Sequence, residues 1–228
     1  MNKGASLLLP EQDRVAEGRQ QLVYQHPHAA DLLVKVMRPE VRETHVSRAQ
    51  APLERLRNAL APSRQRFGAF RSWHLQHQEY LAIVERLGAL PDFLPKLGGY
   101  IPTRLGPGCV VERIASRDGS LAPTLRAVQR AGHQSENLIE HIETLLDKLR
   151  HAHAMFNDLH RGNVVLGVLA DGRERLVIID GLRADTTLIP LRTMSDRIYQ
   201  CWFGRNREKF RETLLGTRAR RPARAPDD

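Results

Sequence analysis

Asn157-Asp158-Leu159-His160-Arg161-Gly162-Asn163 is the stretch whose reading decides the fold. It lies between the clearest helical pattern of the chain and a short β-rich run. A D-x-x-x-x-N spacing suits a loop that turns both polar side chains into one cleft. There the carboxylate accepts or orients the proton of an attacking hydroxyl, and the amide oxygen ligates magnesium. Taken alone, Asp158 equally fits a turn cap, because Asp is common in turns. The flanking sequence is what favours chemistry.

Downstream, Leu176-Val177-Ile178-Ile179-Asp180-Gly181 carries a carboxylate at the end of a β-branched strand. Magnesium is a hard ion that seeks oxygen, so Asn163 and Asp180 are the expected metal ligands and Asp158 the catalytic carboxylate. His160, inside the loop, is expected to contact the transferring phosphate or to support Asp158. Upstream, Leu138, Ile139, Ile142, Leu145, Leu146, Leu149 and Ala152 keep an i, i+3, i+4, i+7 pattern that predicts a helix, with Ser135 as its N-cap. After the loop, residues 163–168 and 175–179 read as a hairpin joined through Asp171-Gly172.

The first half reads as strands around one helix. Leu22-Val23-Tyr24 precedes the turn signal His26-Pro27, and Leu32-Leu33-Val34-Lys35-Val36 is a second β-rich run stopped by Pro39. Trp73, Tyr80, Leu81, Val84 and Leu87 share a face of a helix over 72–87, ended by Gly88 and Pro91. Strands are expected again at 99–103 and 109–114. A charged residue such as Lys35 on an apolar strand usually faces solvent. With the catalytic loop present, it is assigned instead to the α- and β-phosphates of a nucleotide, paired with Glu79 on the helix that follows. Gly18 is placed over the phosphates, and Glu112, at the junction of the halves, is the remaining cofactor-binding candidate.

The resulting expectation is an α+β, bilobal, protein-kinase-like fold. A β-rich N-lobe spans 1–112, with an arginine-rich insertion at about 40–70. A reduced, mostly helical C-lobe spans 113–215, and a basic tail at 216–228 is expected to be disordered. The order of elements is that of a bilobal kinase, although composition alone would not select it.

The 228 residues carry a net charge of +9. Arg42, Arg48, Arg55, Arg57, Arg64, Arg66 and Arg71 crowd one segment, and Arg218, Arg220, Arg221 and Arg224 the tail. Such patches attract nucleic acid or anionic surfaces in general. No aromatic residues alternate with these arginines as a base-stacking platform requires, so a solvated surface is the simpler reading. No apolar run approaches a membrane span, and the N-terminus lacks the apolar core of a secretion signal. Cys109 and Cys201 form no disulfide framework. A cytoplasmic location is expected. His74 and His77 share a helix face with no third metal-ligand candidate, and His151 and His153 are assigned to the last turn of the long helix.

The chain resembles the YrbL family, bacterial proteins of the PhoP regulatory network. The resemblance runs through Gly18-Arg19, Tyr24, His26-Pro27 and Lys35, through Glu79-Tyr80, and most specifically through Asp185-Thr186-Thr187-Leu188-Ile189-Pro190-Leu191. It spans residues from about Leu9 to Phe210. What it implies is a kinase-like fold and an ATP-dependent phosphotransferase of unsettled substrate. Members can lack the catalytic-loop Asp, which this chain keeps at Asp158. The loop is also similar to those of small-molecule and lipopolysaccharide-core kinases. Several features depart from active protein kinases. Gly18 is the single glycine of the phosphate loop, Gly181-Leu182 stands in place of Phe-Gly, and no Ala-Pro-Glu segment follows. The expected activity is transfer of the γ-phosphoryl of Mg-ATP to a small-molecule or lipid-linked hydroxyl. The alternative is an inactive, kinase-like regulator that binds nucleotide or a partner.

Overall fold

Alternation along the second β-rich run sets the sheet. Val34 and Val36 pack on one face with Leu9, Leu22 and Tyr24, while Leu33 and Met37 meet Trp73, Cys109 and Val111 on the other. In the computed structural model, which describes residues 6–42, 66–132, 136–183 and 195–217, this run is the central strand of five. The strands are β1 (Arg14–Glu17), β2 (Gln21–Gln25), β3 (Leu32–Met37), β4 (Leu97–Thr103) and β5 (Gly106–Glu112). They lie in the order β1-β2-β3-β5-β4, antiparallel throughout. Pro102 sits in β4, an edge strand, where a missing backbone donor is tolerated.

Helix α1 (Arg71–Leu87) follows a 3₁₀ turn and ends at Gly88, which takes the left-handed conformation of a helix C-cap. Its buried face differs from the expected one. Trp73, Leu75, Glu79, Tyr80 and Ile83 are buried, whereas Leu81 is 71% exposed. Trp73 and Tyr80 do share the buried stripe, but its centre is shifted toward Ile83. Leu81 therefore falls on the solvent side of the Trp73–Tyr80 line.

The helical half contains α2 (Leu125–Arg130), α3 (Glu136–His151) and α4 (Asp196–Leu215), with the hairpin β6 (Val164–Val168) and β7 (Glu174–Ile178) between α3 and α4. Its core gathers Leu138, Ile142, Leu145, Leu146 and Leu149 of α3 with Tyr199, Phe203 and Leu214 of α4. Trp202 and Phe210 pack against this core beside Phe156, as core residues rather than ligand contacts. Tyr80, Ile83, Phe93 and Leu94 join the same cluster, so α1 is shared between the halves. The buried Tyr199 hydroxyl donates to Leu149 O (3.1 Å) and Ala154 O (3.0 Å), closing the end of α3 just ahead of residue 157.

The architecture is mixed α+β, with a β-rich N-terminal sheet and helices toward the C-terminus. Two short elements lay outside the sequence reading, namely β1, exposed at every residue, and the six-residue α2. Ser135, the 185–191 motif, the insertion over 43–65 and the tail beyond 217 lie outside the described residues. His153 does not belong to the last turn of α3. It follows the helix with a φ of 52° and stacks on Tyr199.

Candidate functional site

The loop 157–163 is held by short-range bonds that fix its polar atoms. Asn163 Nδ2 donates to Asp158 O at 2.9 Å, which leaves the amide oxygen of Asn163 as its free acceptor. The Asn163 N–H donates to His160 O (2.8 Å), and Asn163 O accepts from the Ile179 N–H (2.9 Å), so the loop is sewn to the end of the hairpin. The Gly162 N–H donates to His160 Nδ1 at 2.9 Å. A neutral imidazole accepting there carries its proton on Nε2, which faces Asp158 Oδ2 at 3.6 Å.

Asp180 follows directly. Its Oδ1 accepts the Gly181 N–H (2.7 Å), leaving Oδ2 for another partner. Gly181 has a φ of +92°, and a Cβ placed on it would sit 2.5 Å from Asp158 O and 3.1 Å from Asn163 Nδ2. A glycine after Asp180 is therefore what lets the two carboxylate-bearing segments lie side by side. A Phe156–Leu182 bridge and the Arg183 N–H to Met155 O bond (3.0 Å) continue the contact. The sequence quoted Gly181 only as a departure from a known pattern. Its signal was the glycine immediately following a strand-end Asp.

Asp158, His160, Asn163 and Asp180 line one cavity of ≈ 550 Å³, together with Gly18, Arg19, Arg126 and Arg183. Separate from it, an apolar slot of ≈ 120 Å³ is walled by Val23, Leu33, Val111, Ile114, Val165 and Ile179, with Lys35 and Glu112 also on its lining. Ile179 borders this slot and Asp180, the next residue, borders the groove, so the two spaces adjoin at β7's end.

Lys35 lies on the same face of β3 as Leu33 and Met37, toward α1 and the apolar slot rather than toward solvent. Its ammonium donates to Ile179 O at 2.6 Å, crossing from the sheet to the residue before Asp180. The expected Lys35–Glu79 ion pair is not among the contacts of the described residues. Glu79 is 3% exposed, and its Oε1 accepts the Met155 N–H at 2.6 Å, two residues before the loop. The helix rotation that exposes Leu81 also turns Glu79 toward the helical half. Glu79 thus anchors the approach to the loop.

Two further candidates, Gly18 and Glu112, have partners within the chain. The Gly18 N–H donates to Gln21 O at 2.8 Å and so closes the β1–β2 turn. The turn itself still borders the groove. Glu112 borders the slot, but its carboxylate accepts the Lys96 N–H (2.9 Å) and lies 3.8 Å from the Arg175 guanidinium. Its carboxylate is thereby tied to the junction of the two halves. Of the other histidines, His74 stacks on Phe67 and His77 Nδ1 meets the Tyr100 hydroxyl. Burial lowers the pKa of His77, helped by the positive field of His74 and Lys35. Burial also pushes the Tyr80 phenol up, with Cys109, Asp180 and Glu112 adding to the effect.

Fold and site define an α+β protein with a polar groove between sheet and helices, carrying two carboxylates and an amide on one wall. Compared with known families, the chain matches the PhoP regulatory network protein YrbL over residues 7–214, and it belongs to that family. A search of the curated proteins finds no match. No helix among the described residues is long and apolar enough to cross a membrane.

Proposed function

We propose that this chain is a kinase-like phosphotransferase that uses Mg-ATP to phosphorylate a small-molecule or lipid-linked hydroxyl in the cytoplasm. The observation that carries the reading is the meeting of Asp158, Asn163 and Asp180 on one cavity beside an apolar slot, with Lys35 fixed at the boundary. The order of elements, from sheet and helix through a junction to a long helix, loop and hairpin, is similar to that of a bilobal kinase.

The donor set fits the cofactor. Among the described residues no three His, Cys, Asp or Glu side chains gather as a metal cage. Magnesium beside phosphates needs no such cage, because one or two carboxylates suffice when phosphate oxygens and waters complete the shell. Asp180 Oδ2 and the Asn163 amide oxygen are hard donors left open by the local bonds. Bound Mg-ATP supplies the phosphoryl group and the charge neutralisation that its transfer requires. The apolar slot suits a flat base, and the Lys35 ammonium suits the phosphates next to it. Asp158, with a side chain 66% exposed, is free to orient an acceptor hydroxyl and take its proton. His160 Nε2–H steadies that carboxylate.

Thermal shift with ATP, with and without magnesium, and ADP release across a hydroxyl library test the proposal. Asp158→Ala should keep Mg-ATP binding and lose turnover by roughly 10²-fold or more. Asp180→Ala should weaken the magnesium-dependent binding itself. Parent-like turnover in both variants refutes the roles. A second reading, a nucleotide-binding regulator without turnover, draws support from the committed Gly18 N–H and from Glu79 facing Met155. Magnesium-dependent stabilisation with no ADP release for any hydroxyl favours it.

A further inference from the structure

We infer that the acceptor taken by this groove is itself anionic, a hydroxyl compound bearing a phosphate or carboxylate group, held by Arg126 and Arg183. This rests on the reading of the groove as a phosphoryl-transfer site and narrows its substrate class.

Both arginines line the cavity that holds Asp158 and Asp180, and neither borders the apolar slot that Lys35 borders. They therefore stand outside the slot assigned to the nucleotide's base. Each is tied by its backbone to the catalytic segment. The Arg126 N–H donates to Arg161 O at 2.8 Å, and the Arg183 N–H to Met155 O at 3.0 Å. The Arg126 guanidinium reaches toward Gly162, with Nη2 3.2 Å from where a Cβ on that glycine would sit, beside His160. Arg183 comes three residues after Asp180, behind the buried Leu182.

Other half-buried arginines of the helical half are committed. Arg161 donates to Gln129, Arg175 to Asp92 O, and Arg207 and Arg211 to Glu143. Arg126 and Arg183 are half-buried too, yet among the described residues neither guanidinium has a hydrogen-bond or ion-pair partner. A half-buried guanidinium has lost part of its hydration and gains most from an acceptor that offers two oxygens to its planar fork. Carboxylate and phosphate have that geometry, and a neutral hydroxyl does not. The acids of the groove, Asp158 and Asp180, already have work with the acceptor proton and the metal. Two cations flanking the loop also raise the local concentration of an anionic acceptor.

The test is isothermal titration of the full chain with glycerol 3-phosphate, glycerate and glycerol, with and without Mg²⁺ and a non-hydrolysable ATP analogue. Both anions should bind about tenfold or more tighter than glycerol, the size of a charge-assisted contact. The tighter of the two anions identifies phosphate or carboxylate as the recognised group. An Arg126→Ala, Arg183→Ala double variant should lose that preference while keeping Mg-nucleotide binding. Arg126→Glu, accepted once its melting transition matches the parent's, should remove the preference as well. Equal binding of glycerol and the anions overturns the inference. So does an unchanged preference in the double variant, or no anion binding at roughly ten millimolar. Anion preference in a chain that binds no Mg-nucleotide would instead overturn the phosphotransferase reading and leave the anion site standing.

Discussion

Replacing Glu79 distinguishes a backbone anchor from a lysine partner. The carboxylate is 3% exposed and accepts the Met155 N–H at 2.6 Å, and Met155 is equally buried. Glu79→Ala strands a buried donor, and a hydrogen bond to a charged group contributes about 1.5–3 kcal/mol. For a chain of this size that is a fall of roughly 3–12 °C in melting temperature. Glu79→Gln keeps an acceptor oxygen and gives up the charge, so its loss should be about half as large. Differential scanning calorimetry reads both. Magnesium-nucleotide titration of the same variants provides the second readout. As an anchor, Glu79→Gln leaves nucleotide affinity near the parent's, whereas Lys35→Ala lowers it. Equal melting temperatures for the Ala and Gln variants would refute the anchor. So would a Gln variant that loses nucleotide affinity as far as Lys35→Ala does, because the carboxylate charge would then be serving the lysine.

Gly181→Ala should displace the loop, since its Cβ would sit 2.5 Å from Asp158 O at a φ of +92°. Lost magnesium-dependent nucleotide stabilisation is the expected result, and a parent-like thermal shift would count against the packing argument. Tyr199→Phe removes the donor to Leu149 O and Ala154 O. It should cost about 1–2 kcal/mol by calorimetry, less than a full orphaning because Leu149 O still accepts the Ala154 N–H. His77 titrates below its ordinary 6.5 in the folded chain, chiefly through burial. The unfolded chain then takes up the proton first as pH falls, so stability held above 6.5 declines as pH falls through 6.5 and below. Melting curves of His77→Gln should show a shallower decline over that window, and an unchanged slope would remove His77 from the account.

Strands β2 to β5, α1, α3, the hairpin and the loop were legible because each repeats a simple period or carries turn residues. Val34 and Val36 against Leu33 and Met37 is a two-residue alternation, and Leu138 to Leu149 a helical one. β1 was not legible, because an exposed edge strand such as Arg14–Glu17 needs no apolar pattern. α2 has six residues, too few for a period to show. At the site, Asp158, Asn163 and Asp180 were found by spacing and do line one groove. The partners of Lys35 and Glu79 were not, because which way a side chain turns depends on helix rotation and on backbone atoms such as Ile179 O and Met155 N. Sequence carries no direct mark of a main-chain acceptor. The same holds for Arg126 and Arg183, which are ordinary surface arginines until the chain folds them around the loop.

The bond from Lys35 to Ile179 O has a bearing on how tightly any nucleotide is held. A phosphate arriving there, as proposed, would meet an amine that already has a carbonyl, so its affinity would report an exchange of one oxygen for another. On the proposed reading the resting chain would be self-latched, and a competent population would first have to release the latch, lowering apparent affinity by the fraction released. Whatever loosens strand β3 from the segment ahead of Asp180 would sharpen the response to nucleotide without touching a single ligand.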